Sequence, residues 1–167
     1  SVHGANRLGT NSLLDLIVFG KFAGLRAAEY ANGADFQSLP ADSDEYARAQ
    51  FDAIRSAQGS ENILQIASTM KTTMTDLVGM FRTGEGMVQA LTTIQELRQR
   101  HQHIRLTDQG KTFNTDIMNI WELGNLLEIA EMVTACALAR TESRGGHARD
   151  DYPKRDDANW LRHTLAW

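Results

Sequence analysis

The sequence predicts a mainly α-helical chain: an antiparallel three-helix bundle, preceded by one apolar helix and followed by an irregular, charged C-terminal segment. Three observations predict it. Apolar residues recur at three- and four-residue spacing through three separate stretches, the pattern of a single buried helical stripe. Those stretches are joined by short polar or glycine-containing breaks, which suits antiparallel packing. From Arg140 to Asp157 the chain becomes dense in charge and glycine and cannot extend the same core.

The first helix is expected from about Ser12 to about Ala31, with Thr10 or Asn11 as N-cap and Asn32-Gly33 as its stop. From Leu13 to Phe19 apolar residues occupy every side, interrupted only by Asp15, so this helix expects burial all round. A polar loop from Asn32 to Asp42, containing Pro40, marks the organisational boundary. Ser43 to Gln58 reads as a short polar helix. Ser60 is the expected cap of the first bundle helix, whose stripe is Ile63, Ile66, Met70, Met74, Leu77 and Phe81. After the break Thr83-Gly84-Glu85-Gly86 comes a second stripe, Met87, Leu91, Ile94 and Leu97. Arg98, Arg100 and His101 lie near its end, where cations suit the helix dipole. The third helix runs from Thr115 to about Thr141, capped by Asn114 or Thr115, with Ile117, Ile120, Trp121, Leu123, Leu127, Met132, Cys136 and Leu138 among its apolar positions.

Composition narrows the function classes. A chain of 167 residues can bury a real core. Its net charge of -4, from 21 acidic against 17 basic residues, is spread along the chain and offers no basic stripe for nucleic acid. The single cysteine, Cys136, excludes an intrachain disulfide and a cysteine-rich zinc site and reads as core packing. His101 and His103 read as surface residues and the methionines, Met70 and Met74 included, as core filler; no metal is expected. No apolar run approaches the roughly 20 residues of a membrane-spanning helix, so a soluble or peripheral protein is expected. The chain starts Ser1-Val2-His3 and stops just after Leu165-Ala166, which reads as an excerpt of something longer.

One segment carries readable chemistry: Ser1-Val2-His3-Gly4-Ala5-Asn6-Arg7-Leu8-Gly9-Thr10-Asn11-Ser12-Leu13-Leu14. Two glycines allow close backbone approach, Arg7 offers a planar fork of donors, and a capped helix begins at once. Together they describe a site for an anion: a phosphate, a carboxylate, or the charge that develops on a reduced flavin. A glycine-rich turn with a solvated arginine is the bland alternative.

That string, followed by Val18-Phe19-Gly20-Lys21, resembles the segment that closes the flavin-binding domain of succinate dehydrogenase and fumarate reductase flavoproteins. A second resemblance lies in Thr141-Glu142-Ser143-Arg144-Gly145-Gly146-His147, followed by Asp151-Tyr152-Pro153 and Arg155-Asp156-Asp157. L-aspartate oxidases share the Asn-Arg-Leu and Glu-Ser-Arg-Gly elements, but His3-Gly4-Ala5 and the run from Arg155 to Trp160 favour the dehydrogenase branch.

The resemblance implies residues 1–42 as the end of an FAD-binding domain, 43–141 as the helical bundle domain and 142–167 as an irregular C-terminal segment. It implies that Arg7 binds a substrate carboxylate and that Ser12 and Leu13 lie against the flavin ring. Glu142, Arg144, His147 and Arg149 read as ion pairs that dock the bundle onto the flavin domain and would stand exposed without it. The implied parent oxidises succinate to fumarate by hydride transfer to FAD. It would pass electrons to an iron–sulfur subunit and quinone, beside a membrane anchor, on the cytoplasmic face of a bacterial inner membrane or the matrix side of the mitochondrial one. The family's dinucleotide-binding motif, flavin-linking histidine and proton-shuttling arginine have no counterpart here. No catalytic residue is therefore expected in this chain, nor FAD bound by it, and it is expected to be inactive alone and to self-associate. A fumarate reductase or L-aspartate oxidase flavoprotein fragment and a non-catalytic helical interaction module are the alternatives.

Overall fold

A computed structural model describes Gly9 and residues 11–166, with Asn11 as backbone only. The chain divides into two compact units, residues 1–44 and residues 45–167. In the first, α1 (Asn11–Gly33) is one continuous helix, longer by a residue or two at each end than the pattern predicts. Its apolar side chains are exposed, Leu16 by 69% and Ile17 by 67%.

The second unit holds α2 (Glu45–Arg55), α3 (Ile63–Leu77), β1 (Phe81–Arg82), α4 (Gly84–His101), α5 (Thr115–Ala139), β2 (Ala148–Arg149) and α6 (Asp157–Trp160). Local capping sets the ends of the long helices. Thr83 Oγ1 accepts from Gly86 N at 3.1 Å to start α4, and Asn114 Oδ1 accepts from Ile117 N at 3.1 Å to start α5. The cap of α3 is Asn62, which accepts from Leu64 N at 2.8 Å, and not Ser60. The reason is that residues 58–61 are held as extended chain against 103–105, Gly59 N donating to Ile104 O at 3.0 Å and Glu61 N to His103 O at 3.0 Å.

The helix directions follow from which residues meet. The start of α3 pairs with the chain just past α4, and Arg98 and His101 of α4 meet Glu131 and Ile120 of α5 in reverse order. Helices α3, α4 and α5 therefore run up, down and up, as an antiparallel three-helix bundle. Its core is Ile66 and Met70 from α3, Ile94 and Leu97 from α4, Ile117, Ile120, Leu123, Leu127 and Ala130 from α5, with Ile104 and Leu106 from the α4–α5 connection. Phe51 and Ile54 of α2 pack against it, and Phe51 meets Trp121 ring to ring at 6.2 Å. The predicted α3 stripe fails at Phe81. The helix ends at Leu77, and Phe81 stands 69% exposed in β1, which pairs in parallel with β2. Met132 is also exposed, although the pattern on α5 is apolar there. Among the described residues no helix is long and apolar enough to cross a membrane.

Candidate functional site

Two regions hold the residues that the sequence singles out. In the first unit, Arg7 lies outside the described residues. Gly9 adopts φ +54, a left-handed conformation that glycine reaches without strain, immediately before α1 begins. Ser12 is half-buried in the first turn and Leu13 is 60% exposed. No acidic residue occupies that turn, where a helix start leaves amides unpaired and carries partial positive charge.

In the second unit, the C-terminal segment folds around two buried charges. Glu142 is fully buried and accepts four hydrogen bonds. Arg144 Nε donates to Oε1 at 2.8 Å and Arg144 Nη2 to Oε2 at 3.0 Å, Asp156 N donates to Oε2 at 2.8 Å, and Arg140 Nη1 donates to Oε1. Arg144 reaches on to Asp157 Oδ1 at 2.6 Å, so the Glu142 carboxylate ties residues 140–144 to residues 156–157. Between them, Arg144 and His147 exchange backbone hydrogen bonds across a tight turn in which Gly145 takes φ +59.

Arg149 is 3% exposed. Its Nη1 donates to the carbonyls of Ala137, Leu138 and Arg140 at 3.0 to 3.2 Å, capping the C-terminal end of α5. Helix α5 has no basic residue in its own last turn, so the cation that suits its dipole comes from ten residues beyond the helix end. Arg149 also forms a bidentate pair with Asp151, both bonds 2.7 Å. Asp151 Oδ2 in turn accepts from Gly84 N at 2.9 Å, at the start of α4. One ion pair thus caps the negative end of one helix and the positive end of another.

His147 is half-buried beside these groups. Arg82 Nη1 lies 3.0 Å from His147 Nδ1, and His147 Nε2 lies 3.2 Å from Arg140 O. An arginine can only donate and a carbonyl only accept, so the ring carries its proton on Nε2 and is neutral. Burial lowers the His147 pKa, and the cations Arg82, Arg149 and Arg140 lower it further, against the Arg140 carbonyl, which favours the proton.

The expectation that Glu142, Arg144, His147 and Arg149 stand exposed does not hold. Glu142 and Arg149 are buried within their own unit, and the other two are half-buried. Their partners come from the same C-terminal segment and from the ends of α4 and α5. Of the residues that complete the network, Asp151 and Asp157 lie in the Asp-Tyr-Pro and Arg-Asp-Asp strings that carry the family resemblance, whereas Arg82 carries no signal in the sequence that separates it from an ordinary surface charge. His101 is also more than a surface residue: it is half-buried, its Nε2 donates to Ile120 O at 2.9 Å, and its ring lies over Gly124, where an added Cβ would meet it at 3.1 Å. His103 is exposed. Cys136 is half-buried.

The network makes a pH prediction. Hydrogen bonds from Arg144, then from Asp156 N and Arg140, lower the Glu142 pKa from 4.5 to about 2 against the burial that raises it. A carboxylate with a depressed folded-state pKa adds stability above its unfolded pKa and loses it as pH falls through the folded one. The urea midpoint is therefore expected to hold steady down to roughly pH 5 and to fall between there and about pH 2. Asp157, lowered to about 2 by Arg155 and Arg144, and Asp151 contribute in the same direction. Glu142→Gln should flatten part of that fall; a decline identical to wild type would locate the acid sensitivity elsewhere.

Comparison with known proteins fits this geometry. Residues 67–167 match the family described as Fumarate reductase flavoprotein C-term. The chain is 42% identical to a succinate dehydrogenase flavoprotein subunit of Rickettsia conorii over 99% of its own length and 28% of that protein. It is 41% identical to a fumarate reductase flavoprotein subunit of Haemophilus influenzae, again over 99% of this chain and 28% of that one. Its structure superposes on E. coli quinol fumarate reductase with a TM-score of 0.88 at 39% identity, covering 95% of this chain and 28% of that one. The chain spans little more than a quarter of the length of these relatives. A match through α4, α5 and the C-terminal network, joined to likeness over nearly all 167 residues, places this chain in the succinate dehydrogenase/fumarate reductase flavoprotein family.

Proposed function

We propose that this chain forms the C-terminal part of a flavoprotein subunit that interconverts succinate and fumarate with FAD, and that succinate oxidation is its direction. The observation that carries the interconversion is the near-equal likeness, 42% and 41%, to flavoproteins named for the two directions of one reaction, which favours neither direction. The direction is set by comparing succinate oxidation with fumarate reduction in a protein that joins this chain to a relative's N-terminal portion. The start of α1 fits the flavin it would serve: no acid in the first turn, a hydroxyl at Ser12 and an exposed apolar surface at Leu13. FAD, when bound, supplies the two-electron acceptor. Arg7 would hold a substrate carboxylate through its planar fork, fixing the C–H bond against the ring. Ser12 and Leu13 would line the flavin, and the helix start would favour it once it carries negative charge.

On this reading residues 1–42 close the flavin-binding domain, 43–141 form the helical domain and 142–167 fasten that domain's open end. Glu142, Arg144, His147 and Arg149 serve domain docking by fixing the shape of the segment they hold. The flavin-binding domain of the same subunit, an iron–sulfur subunit and a membrane anchor are the partners, at a membrane surface. The 167-residue chain alone binds no FAD, turns over no succinate, and associates through the exposed apolar side chains of α1.

The test joins this chain to the N-terminal portion of the Rickettsia conorii relative and follows FAD absorbance and its bleaching by succinate. The joined protein is expected to bind FAD and be reduced, and the 167-residue chain to do neither. In the joined protein Arg7→Lys is expected to lower kcat/KM about 100-fold, because an ammonium cannot reproduce the bidentate fork. Unchanged turnover would remove Arg7 from the site, and tight FAD binding by the short chain would overturn the division of labour.

A further inference from the structure

Arg82 is the half-buried cation of the second unit that its own surroundings leave unneutralised. Its Nε donates to Gly79 O at 2.6 Å and its Nη1 to the neutral ring of His147. Neither partner bears negative charge. Around it, Arg140 and Arg144 pair with Glu142, Arg149 with Asp151 and Arg155 with Asp157. Among the described residues no carboxylate pairs with Arg82, and the charge that acts on it most is a second cation, Arg149. A guanidinium has five N–H donors, and those on Nη2 meet no acceptor within the described residues. A cation held partly out of water without a counter-charge lowers stability, so this arrangement becomes favourable when an acceptor arrives from outside.

The chain leading into Arg82 describes what brings that acceptor. Met80 and Phe81 immediately precede it and are 66% and 69% exposed. Two large apolar residues gain from burial only against a surface broad enough to cover them, at about 25 cal/mol per Å². A free ion covers neither.

We propose that the segment Met80-Phe81-Arg82 is a docking point for a partner polypeptide that presents an aspartate or glutamate carboxylate flanked by apolar side chains. The carboxylate takes the open Nη2 edge of Arg82, and the apolar flanks cover Met80 and Phe81. Because His147 accepts from the same guanidinium, docking is felt at its ring: a carboxylate beside Arg82 offsets the positive field that disfavours protonation of His147.

The experiment uses the full 167-residue chain and follows the Arg82 side-chain N–H and the His147 ring by ¹⁵N NMR. Three probes are titrated: a capped nonapeptide with a central glutamate between leucines, its glutamine counterpart, and sodium acetate. The glutamate peptide is expected to give saturable shifts at both residues, with the glutamine peptide and acetate each weaker by about tenfold or more. Arg82→Gln should abolish the preference for glutamate over glutamine. Phe81→Ser, at an exposed position that leaves the bundle core untouched, should weaken the glutamate peptide and leave acetate unchanged. Acetate binding as tightly as the peptide would make this a small-carboxylate site and overturn the proposal. So would glutamate and glutamine peptides of equal affinity, or the absence of any saturable shift at Arg82.

Discussion

Arg149→Met is expected to cost about 3 kcal/mol of stability, read from urea unfolding followed by circular dichroism. The substitution keeps the bulk of the side chain and removes every polar contact: three carbonyls at the end of α5 and both oxygens of Asp151. Breaking a buried pair by deleting one partner costs about 3–5 kcal/mol, and the lower end applies because Asp151 is 35% exposed and can rehydrate. The carbonyls of Ala137 and Leu138, by contrast, gain no new donor. Arg149→Lys should recover less than half of the loss, since one ammonium cannot fork to Asp151 while reaching three carbonyls. Amide exchange at Gly84 should accelerate in both variants, because Asp151 loses the group that orients it. A loss below about 1 kcal/mol in Arg149→Met would mean that water replaces the cap at little cost.

Gly59→Ala is expected to be about as damaging, for a different reason. A Cβ at this position would lie 1.8 Å from His103 O, 2.3 Å from its carbonyl carbon and 2.7 Å from Ile104 O. These are backbone atoms that no rotamer change can move aside. The extended pairing of residues 58–61 with 103–105 must open, and with it the contact that joins the start of α3 to the end of α4. The expected loss is about 3 kcal/mol, the upper part of the range for overpacking. Gly24→Ala is the contrast: its Cβ meets nothing within 4 Å, and the better helix former should leave α1 intact or firmer by up to about 1 kcal/mol. Equal urea midpoints for Gly59→Ala and wild type would show that the strand-like clamp adjusts freely.

Much of the bundle was legible because its determinants are local. The spacing of Ile66 and Met70, of Met87, Ile94 and Leu97, and of Ile117, Ile120, Leu123 and Leu127 is the spacing of one helix face, and these residues are the buried ones. Asn114 was readable as a cap because a side-chain oxygen at a helix start has one nearby use. Phe81 continued the α3 stripe in spacing, yet it lies beyond Val78-Gly79, where the helix stops. Ser60 has the chemistry of a cap, yet the pairing of its neighbours Gly59 and Glu61 with Ile104 and His103 takes that stretch out of helical reach.

The segment proposed to face the flavin was read from a string of residues, and the likeness to known flavoproteins runs over 99% of the chain. What the sequence determined by itself is thus the order of the first five helices, the buried faces of the three bundle helices and the family, because periodicity, capping and motif are properties of neighbouring residues; the short α6 lies in the stretch the sequence leaves irregular. What only the tertiary structure decided is where the charges of the last stretch go. Glu142 and Arg149 looked like groups awaiting another domain, and they are buried by their own segment. Arg82, which no sequence pattern singles out, has no carboxylate partner among the described residues. The ion pairs join residues close in sequence, Glu142 with Arg144 and Arg149 with Asp151, but what this stretch meets elsewhere depends on contacts across 60 or more positions, with Arg82 against His147 and Gly84 against Asp151, and no local pattern encodes that meeting.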